Sequence, residues 1–133
     1  MAHAKGTFDV KISPQSPQDG VGDPSVGRMA IEKQFQGDMQ GQGRGQMLAV
    51  GTAVDGSAGY VAMERVQASV HGRPGSFALQ HNGTMHRGTP QLSITIVPDS
   101  GDGELAGIAG TLFVTIEGGV HTYDLHYTLP DLP

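Results

Sequence analysis

Glu64, in the segment AMERV, is the residue whose type and position most readily predict chemistry. Side chains alternate between the two faces of a strand, so Glu64 shares a face with every second neighbour. These face-sharing neighbours are Tyr60, Ala62, Val66, Ala68 and Val70. A carboxylate on a buried apolar face is costly unless it is paired or hydrogen-bonded. Two interpretations stay open: a structural ion pair with Lys33 or Arg28, and a functional carboxylate with a pKa raised by burial.

His81 ends an apolar ladder in the stretch GRPGSFALQHNGTM, where Phe77, Leu79 and His81 share one face of a strand. The following Asn82-Gly83 is a strong hairpin signal, which predicts that His81 lies at the mouth of the fold. In the predicted strand pairing His81 lies beside Ala68, about 13 Å along the strand from Glu64. We therefore expect the two to share a cavity wall without direct contact. A half-buried, hydrogen-bonded histidine is the alternative.

These positions predict a small-molecule site, because such sites are mostly apolar and hold a few polar groups. Glu64 is its candidate catalytic residue or the group that orients a ligand. The expected ligand-lining residues are Tyr60, Glu64, Phe77, Leu79 and His81, with Lys33 and Tyr123 from neighbouring strands.

Metal and cofactor motifs are weak in this sequence. Of the six histidines, His81 and His86 share a face in the predicted hairpin, whereas His121 and His126 point to opposite faces of one strand. Zinc needs three or four converging ligands, so we predict no metal. The DSGDGE segment is expected to be a hairpin loop, and the Gly41–Gly45 run a bulge or flexible corner. No cofactor is predicted.

The elements that must position these residues are short strands with alternating apolar side chains. The clearest are GTFDVKIS, GRMAIEKQF, QMLAV, QLSITIVP and GTLFVTIEGGVHTYDLHYTL. They predict one antiparallel meander over residues 46–88 and another over 91–129.

Two glycine-containing turns predict specific strand registers, because a two-residue turn determines which residues pair. Gly118-Gly119 pairs Glu117 with Val120, which places apolar residues opposite mostly apolar residues. Asp55-Gly56 is expected to pair Leu48 with Met63.

A proline-containing turn predicts the register between the strands that carry Glu64 and His81. The segment 73–76, Arg-Pro-Gly-Ser, suits a type II turn. It would place Val70 beside Leu79 and Ala68 beside His81.

The expected fold is all-β: a small closed antiparallel barrel of about eight strands with meander connections. Closure leaves no exposed sheet edge. A two-sheet β-sandwich is the alternative, because local patterning does not report closure. We expect one domain over residues 1–133, with residues 1–5 a flexible tail and residues 13–25 a flexible loop.

Composition excludes several classes of partner. The net charge of −5 and eight scattered Lys and Arg residues argue against nucleic acid, which requires a clustered basic face. The sequence holds no apolar run of membrane-spanning length, no apolar signal segment and no cysteine. We therefore expect a soluble cytoplasmic protein.

Four segments in order carry a resemblance to a known family: GSAGYVAMERV, GRPGSFALQHNGTM, ITIVPDSGDGELAGIAG and GVHTYDLHYTL. They resemble a bacterial family of unknown function whose members are similar in fold to the allene oxide cyclase barrel. The likeness covers residues 6–129 and departs from the family pattern at the acidic loop PDSGDGEL. It implies a closed barrel with a central cavity, often a homo-oligomer such as a homodimer, and it implies no activity.

Three functions are compatible with these observations. The first is a barrel that binds a modest hydrophobic molecule with one polar end. The second is an isomerase or cyclase in which Glu64 moves a proton or stabilises positive charge; a firm pairing with Lys33 or Arg28 would count against it. The third is a structural, self-associating barrel with a filled interior.

Overall fold

The fold is all-β in a computed structural model that describes residues 1–16 and 19–131. Its strands are β1 (Ala2–Pro14), β2 (Gly27–Gly37), β3 (Met39–Gly51), β4 (Ala58–Val70), β5 (Arg73–His86), β6 (Thr89–Ile96), β7 (Asp102–Gly103), β8 (Ala109–Glu117) and β9 (Val120–Thr128). No helix within these ranges has the length and apolar character to span a membrane.

Eight of the strands form a closed antiparallel barrel. The order around the wall is β1, β2, β3, β4, β5, β6, β8 and β9, and pairing of β1 with β9 completes the circle. The short β7 adds to the edge of β5 through Gly75 and Ser76. The barrel prediction is therefore confirmed, and the sandwich alternative is wrong because β4 also pairs with β5 along its whole length.

The wall is not uniform around its circumference. Seven registered pairs join β1 to β9, from Ala2↔Tyr127 to Phe8↔His121. In contrast, only Thr95↔Thr111 is registered between β6 and β8. The twelve residues between these two strands, 97–108, leave the wall and carry β7.

The two ends of the barrel differ in how well they are covered. At one end the segment 97–108 folds over the interior, and its Leu105 and Ile108 are buried with Phe35, Met39 and Tyr127. The described loop residues 15–16, 19–26, 52–57, 87–88 and 118–119 lie at the other end, which we call the open end. Apolar residues in inward register are exposed there, whereas their counterparts at the covered end are buried.

The Gly118-Gly119 prediction is confirmed, since Glu117 pairs with Val120 and Ile116 with His121. The Asp55-Gly56 prediction is wrong: Gly51 pairs with Ala58 across a longer loop, and Leu48 lies opposite Val61. The strands slide by two residues relative to the prediction, so every side chain keeps its predicted face.

The predicted turn at 73–76 is also wrong. The chain reverses at His71-Gly72, whose φ angles of 47° and 80° are both positive, as a type I′ hairpin requires. Val70 therefore pairs with Arg73, and His81 lies opposite Ala62 instead of Ala68. This shift moves His81 along the barrel axis towards Glu64.

Asn82-Gly83 is not a turn but the continuation of β5, which reverses at Arg87-Gly88. A Cβ atom at Gly83 would overlap the ring of Tyr60 on β4. The glycine therefore gives space to an aromatic ring. Because β5 is continuous, His81 and His86 point to opposite faces, contrary to the prediction.

Three regions predicted to be flexible lie wholly or partly in regular strands. Residues 2–5 lie in β1 and pair with β9, and residues 13–14 extend β1. The Gly41–Gly45 run is a continuous part of β3 and not a bulge or corner. Pro17 and Gln18, in the predicted loop 13–25, lie outside the described residues.

Candidate functional site

A buried cluster of three polar side chains lies inside the barrel; we call Lys33, Glu64 and His81 the polar cluster. The Oε1 atom of Glu64 accepts a hydrogen bond from Lys33 Nζ at 3.0 Å and lies 2.9 Å from His81 Nε2. The Glu64 side chain is fully buried, and those of Lys33 and His81 are 7% and 4% exposed. The ion pair with Lys33 was one of the two interpretations of Glu64, and the contact with His81 overturns the expectation of separation.

Three different strands position this cluster. Lys33 lies on β2, Glu64 on β4 and His81 on β5, all in inward register. β3 runs between β2 and β4, and it places Gly43 opposite Lys33 and Gly45 opposite Glu64. Because Gly43 and Gly45 have no side chains, the Lys33 side chain can reach the Glu64 carboxylate across β3.

Gly43 is the functional position that sequence reasoning missed. A Cβ atom there would overlap Glu64 Oε2 and would lie 3.1 Å from Cε2 of Phe35. The available signal was the spacing of the glycines at 41, 43 and 45. Alternate residues share one face of a strand, so three glycines at this spacing leave that face without side chains.

Aromatic rings contact the cluster from the covered side. Lys33 Nζ lies 5.1 Å from the ring centre of Phe8 and 5.9 Å from that of Phe35, within the range of cation–π attraction. The lysine thus has a carboxylate on one side and two ring faces nearby. This compensates part of the cost of burying its charge.

Burial raises the pKa of the Glu64 carboxyl, but hydrogen bonds and Coulomb attraction from His81 and Lys33 outweigh it. The net effect is a pKa below the ordinary value of 4.5. Glu64 is therefore ionised at neutral pH. Of the two interpretations left open by the sequence, the geometry matches the ion pair with Lys33 and not a carboxyl with a raised pKa. Burial and the charge of Glu64 together raise the pKa of the Tyr60 phenol.

One oxygen of the carboxylate is unsatisfied. Glu64 Oε2 is buried and has no hydrogen-bond partner within residues 1–16 and 19–131. Unsatisfied buried acceptors are uncommon in native structures, and for an ionised group the cost is high. The cluster can accept one further hydrogen bond at this atom.

The inward-register residues at the open end are apolar and accessible. Ile12, Met85, Leu92 and Ile116 are 49%, 40%, 48% and 61% exposed. Met29, Met47 and Tyr60 are half-buried in the same region. We call these seven residues the apolar mouth. One layer of buried inward residues, Ile31, Ala62 and Gly83, separates it from the polar cluster along β2, β4 and β5.

The other predicted lining residues occupy distinct places. Phe77 and Leu79 are completely buried in the core on the same wall as His81. The Tyr60 ring lies 6.3 Å from that of His81. Tyr123 is buried with its ring edge-on to Phe35 at 5.7 Å, and its hydroxyl bonds to the backbone of Gln36 and Met39. A ligand-lining role for these residues stays a prediction.

Three surface pockets have volumes of about 370, 520 and 260 Å³. All three are open grooves, and none of them is lined by Glu64 or His81. The first runs along β1–β3 and includes Lys33 and Gly43 among mostly charged residues. Its other lining residues are Asp9, Val10, Lys11, Glu32, Gln34, Gln42 and Arg44.

The strand order and the buried cluster define a closed eight-stranded up-and-down β-barrel with a charged group inside. The chain belongs to the family described as "Protein of unknown function (DUF3224)", whose sequence model matches residues 4–127. The resemblance to a family of unknown function, noted from the sequence, is thereby confirmed.

A solved structure supports the same assignment. The chain is similar to a crystal structure of a DUF3224-family protein of unknown function from Shewanella oneidensis MR-1. The two share 43% identity over 99% of each chain, with a TM-score of 0.90. None of the curated proteins compared with the chain matches it.

Proposed function

We propose that the protein binds a modest hydrophobic molecule with one polar end, which enters the barrel through the apolar mouth and reaches the polar cluster. The observation that carries this proposal is the position of Lys33, Glu64 and His81 inside the barrel on the side of the accessible apolar mouth, one layer of buried residues below it. Small-molecule sites commonly combine an apolar wall with a few polar groups that orient the ligand. An eight-stranded barrel is wide enough for one small ligand.

The polar end of the ligand is a hydrogen-bond donor in this proposal. Glu64 is ionised and Oε2 lacks a partner, so a hydroxyl, amide or ammonium group would satisfy it. The mouth residues Leu92 and Ile116 would contact the apolar part, which explains why they are exposed in inward register. Exposed apolar surface of this kind is typical of binding sites.

The test is native mass spectrometry of protein purified from its own cells, followed by denaturation and identification of released molecules. Thermal unfolding with medium-chain alcohols, amides, amines and acids gives a second readout. We expect donor-bearing compounds to raise Tm more than acids, and the Leu92→Gln and Ile116→Gln variants to lose the effect. Val120→Gln is the matched control, because Val120 is 53% exposed but outward-facing in the same β8–β9 hairpin. No released molecule and no shift with any probe would refute ligand binding.

An isomerase or cyclase is the second candidate, favoured by the 2.9 Å contact between Glu64 and His81. A carboxylate beside an imidazole could relay a proton or stabilise developing positive charge. The pairing of Glu64 with Lys33 counts against an acid role, because it keeps the carboxyl ionised. Turnover of a released ligand by the native protein and not by Glu64→Gln would establish this candidate.

Self-association remains part of the proposal. Support comes from an outward apolar patch on β3 and β4, where Leu48, Val61 and Met63 are 46%, 51% and 52% exposed. Leu48 and Val61 are direct cross-strand neighbours, so the patch is contiguous. Sedimentation analysis should show a homodimer that Val61→Glu dissociates; a monomer at all concentrations would refute it.

A filled, purely structural barrel is the outcome if every ligand test fails. A cytoplasmic location also stays a prediction.

A further inference from the structure

The outer surface of the β1–β9 pairing carries two histidines and an aspartate that the polar cluster does not involve. His3 on β1 lies directly opposite His126 on β9, and Asp124 lies two residues away on the same outward face. His3 Nδ1 is 3.2 Å from Asp124 Oδ1, and His126 Nε2 is 3.2 Å from Asp124 Oδ2. The three candidate ligand atoms all lie within 4.8 Å of one another.

We propose that His3, Asp124 and His126 bind a divalent zinc ion on the outside of the barrel, where the first strand pairs with the last. Two imidazoles and one carboxylate are a donor set that Zn²⁺ accepts, with further positions open to water. In a tetrahedral zinc site neighbouring ligand atoms lie about 3.4 Å apart, given metal–ligand distances of about 2.1 Å. The two histidine–aspartate separations of 3.2 Å are close to this value, and the separation between the two imidazole nitrogens, within 4.8 Å, would need to shorten by at most about 1.4 Å.

The surroundings hold the ligands in place. The His3 and His126 rings are 3.9 Å apart, and the ring of Phe113 lies 4.6 Å from His126 on its other side. Phe113 thus forms an apolar surface beside His126, which reduces the access of water on that side of the site. Lys5, opposite Asp124 in register, is a cation beside the site and would reduce its affinity for zinc.

Bound zinc would join two strands that are far apart in sequence. His3 and Asp124 are separated by 121 residues. Because the ligands come together only when the barrel is closed, zinc binds the folded state in preference to the unfolded state. The ion would therefore stabilise the closed barrel by linking β1 to β9, independently of any ligand in the interior.

The experiment is titration of tag-free protein with zinc chloride by calorimetry, with thermal unfolding in parallel. A tag-free chain is essential because His3 is close to the N-terminus. We expect one ion per chain and a higher Tm, with affinity falling at least tenfold in His3→Gln, Asp124→Asn and His126→Gln. His86→Gln is the control, since His86 is exposed on β5 and should leave binding unchanged.

A second readout makes the test specific to the three residues. Zinc should shift the nitrogen resonances of His3 Nδ1 and His126 Nε2 in long-range heteronuclear spectra and leave those of His86 unchanged. Absence of zinc binding overturns the proposal. Binding that depends on His3 alone, or that survives loss of His126 or Asp124, also overturns it.

Discussion

The carboxylate of Glu64 occupies the space that a side chain at position 43 would need. A Cβ atom on Gly43 would overlap Oε2 and press on the ring of Phe35. The glycine and the buried charge are therefore one structural unit.

Gly43→Ala should lower the free energy of unfolding by about 1–3 kcal/mol, the usual cost of overpacking a core. Chemical denaturation measures the change. Gly51→Ala is the matched control: it lies on the same strand and a Cβ atom there meets nothing within 4 Å. Its effect should stay within about 0.5 kcal/mol. Equal effects of the two variants would show that position 43 is not crowded.

Glu64→Gln should destabilise the protein by about 3–5 kcal/mol, because it leaves the Lys33 charge buried without a counter-ion. The double variant Lys33→Met/Glu64→Gln should lose less than the sum of the two single variants. A double-mutant cycle gives the coupling, which we expect to exceed about 1 kcal/mol.

The exposed pair Glu32–Arg44, at 3.7 Å, provides the control cycle on β2 and β3. Its coupling should be no more than about 0.5 kcal/mol, as for other surface pairs. If the buried pair couples no more strongly than this one, the ion pair contributes nothing specific.

The stability due to Glu64 should depend on pH in the acid range. Its folded pKa is below the ordinary value of 4.5, so the stabilisation is fully present above that value. It is lost as pH falls through the lower folded pKa, since protonation of the native carboxyl removes the charge that Lys33 needs. Denaturant midpoints of the native protein and Glu64→Gln should therefore converge below about pH 4.5. A constant difference down to the acid unfolding transition would contradict the shift.

Tyr123→Phe should cost about 1–3 kcal/mol, because the hydroxyl satisfies backbone groups at the β2–β3 corner. It accepts from the Met39 N–H at 2.9 Å and lies 2.8 Å from the Gln36 carbonyl oxygen. Tyr60→Phe removes a phenol at the apolar mouth and should cost less. Equal losses in thermal unfolding would show that the corner does not depend on Tyr123.

Much of the fold was predictable because alternation of side chains is a local property. The inward residues of β4, and those of β5 as far as His81, were placed on their correct face. Beyond His81 the predicted Asn82-Gly83 turn reversed the faces, so His86 was wrongly placed beside His81. Both register errors slid the strands by an even number of residues, which leaves faces unchanged and alters only position along the barrel axis. That axial error is why the Glu64–His81 contact was missed.

The misread glycines have one physical cause. Gly43 and Gly83 were taken as signs of bends or turns, but each gives space to a side chain on an adjacent strand. Local sequence does not distinguish a glycine that turns the chain from one that admits a neighbour. The candidate zinc site was missed for a related reason, since His3 meets His126 only when the barrel closes.

The single registered pair between β6 and β8 gives the barrel wall a weak seam. Local opening of native proteins begins where few interactions must break, so amide exchange should be fastest beside Thr95 and Thr111. The β1–β9 side, with seven registered pairs, should exchange more slowly. A barrel that opens along one strand pair gives access to its interior through the wall as well as through its open end. Its interior would then be reached sideways during brief openings, on a timescale determined by the wall itself.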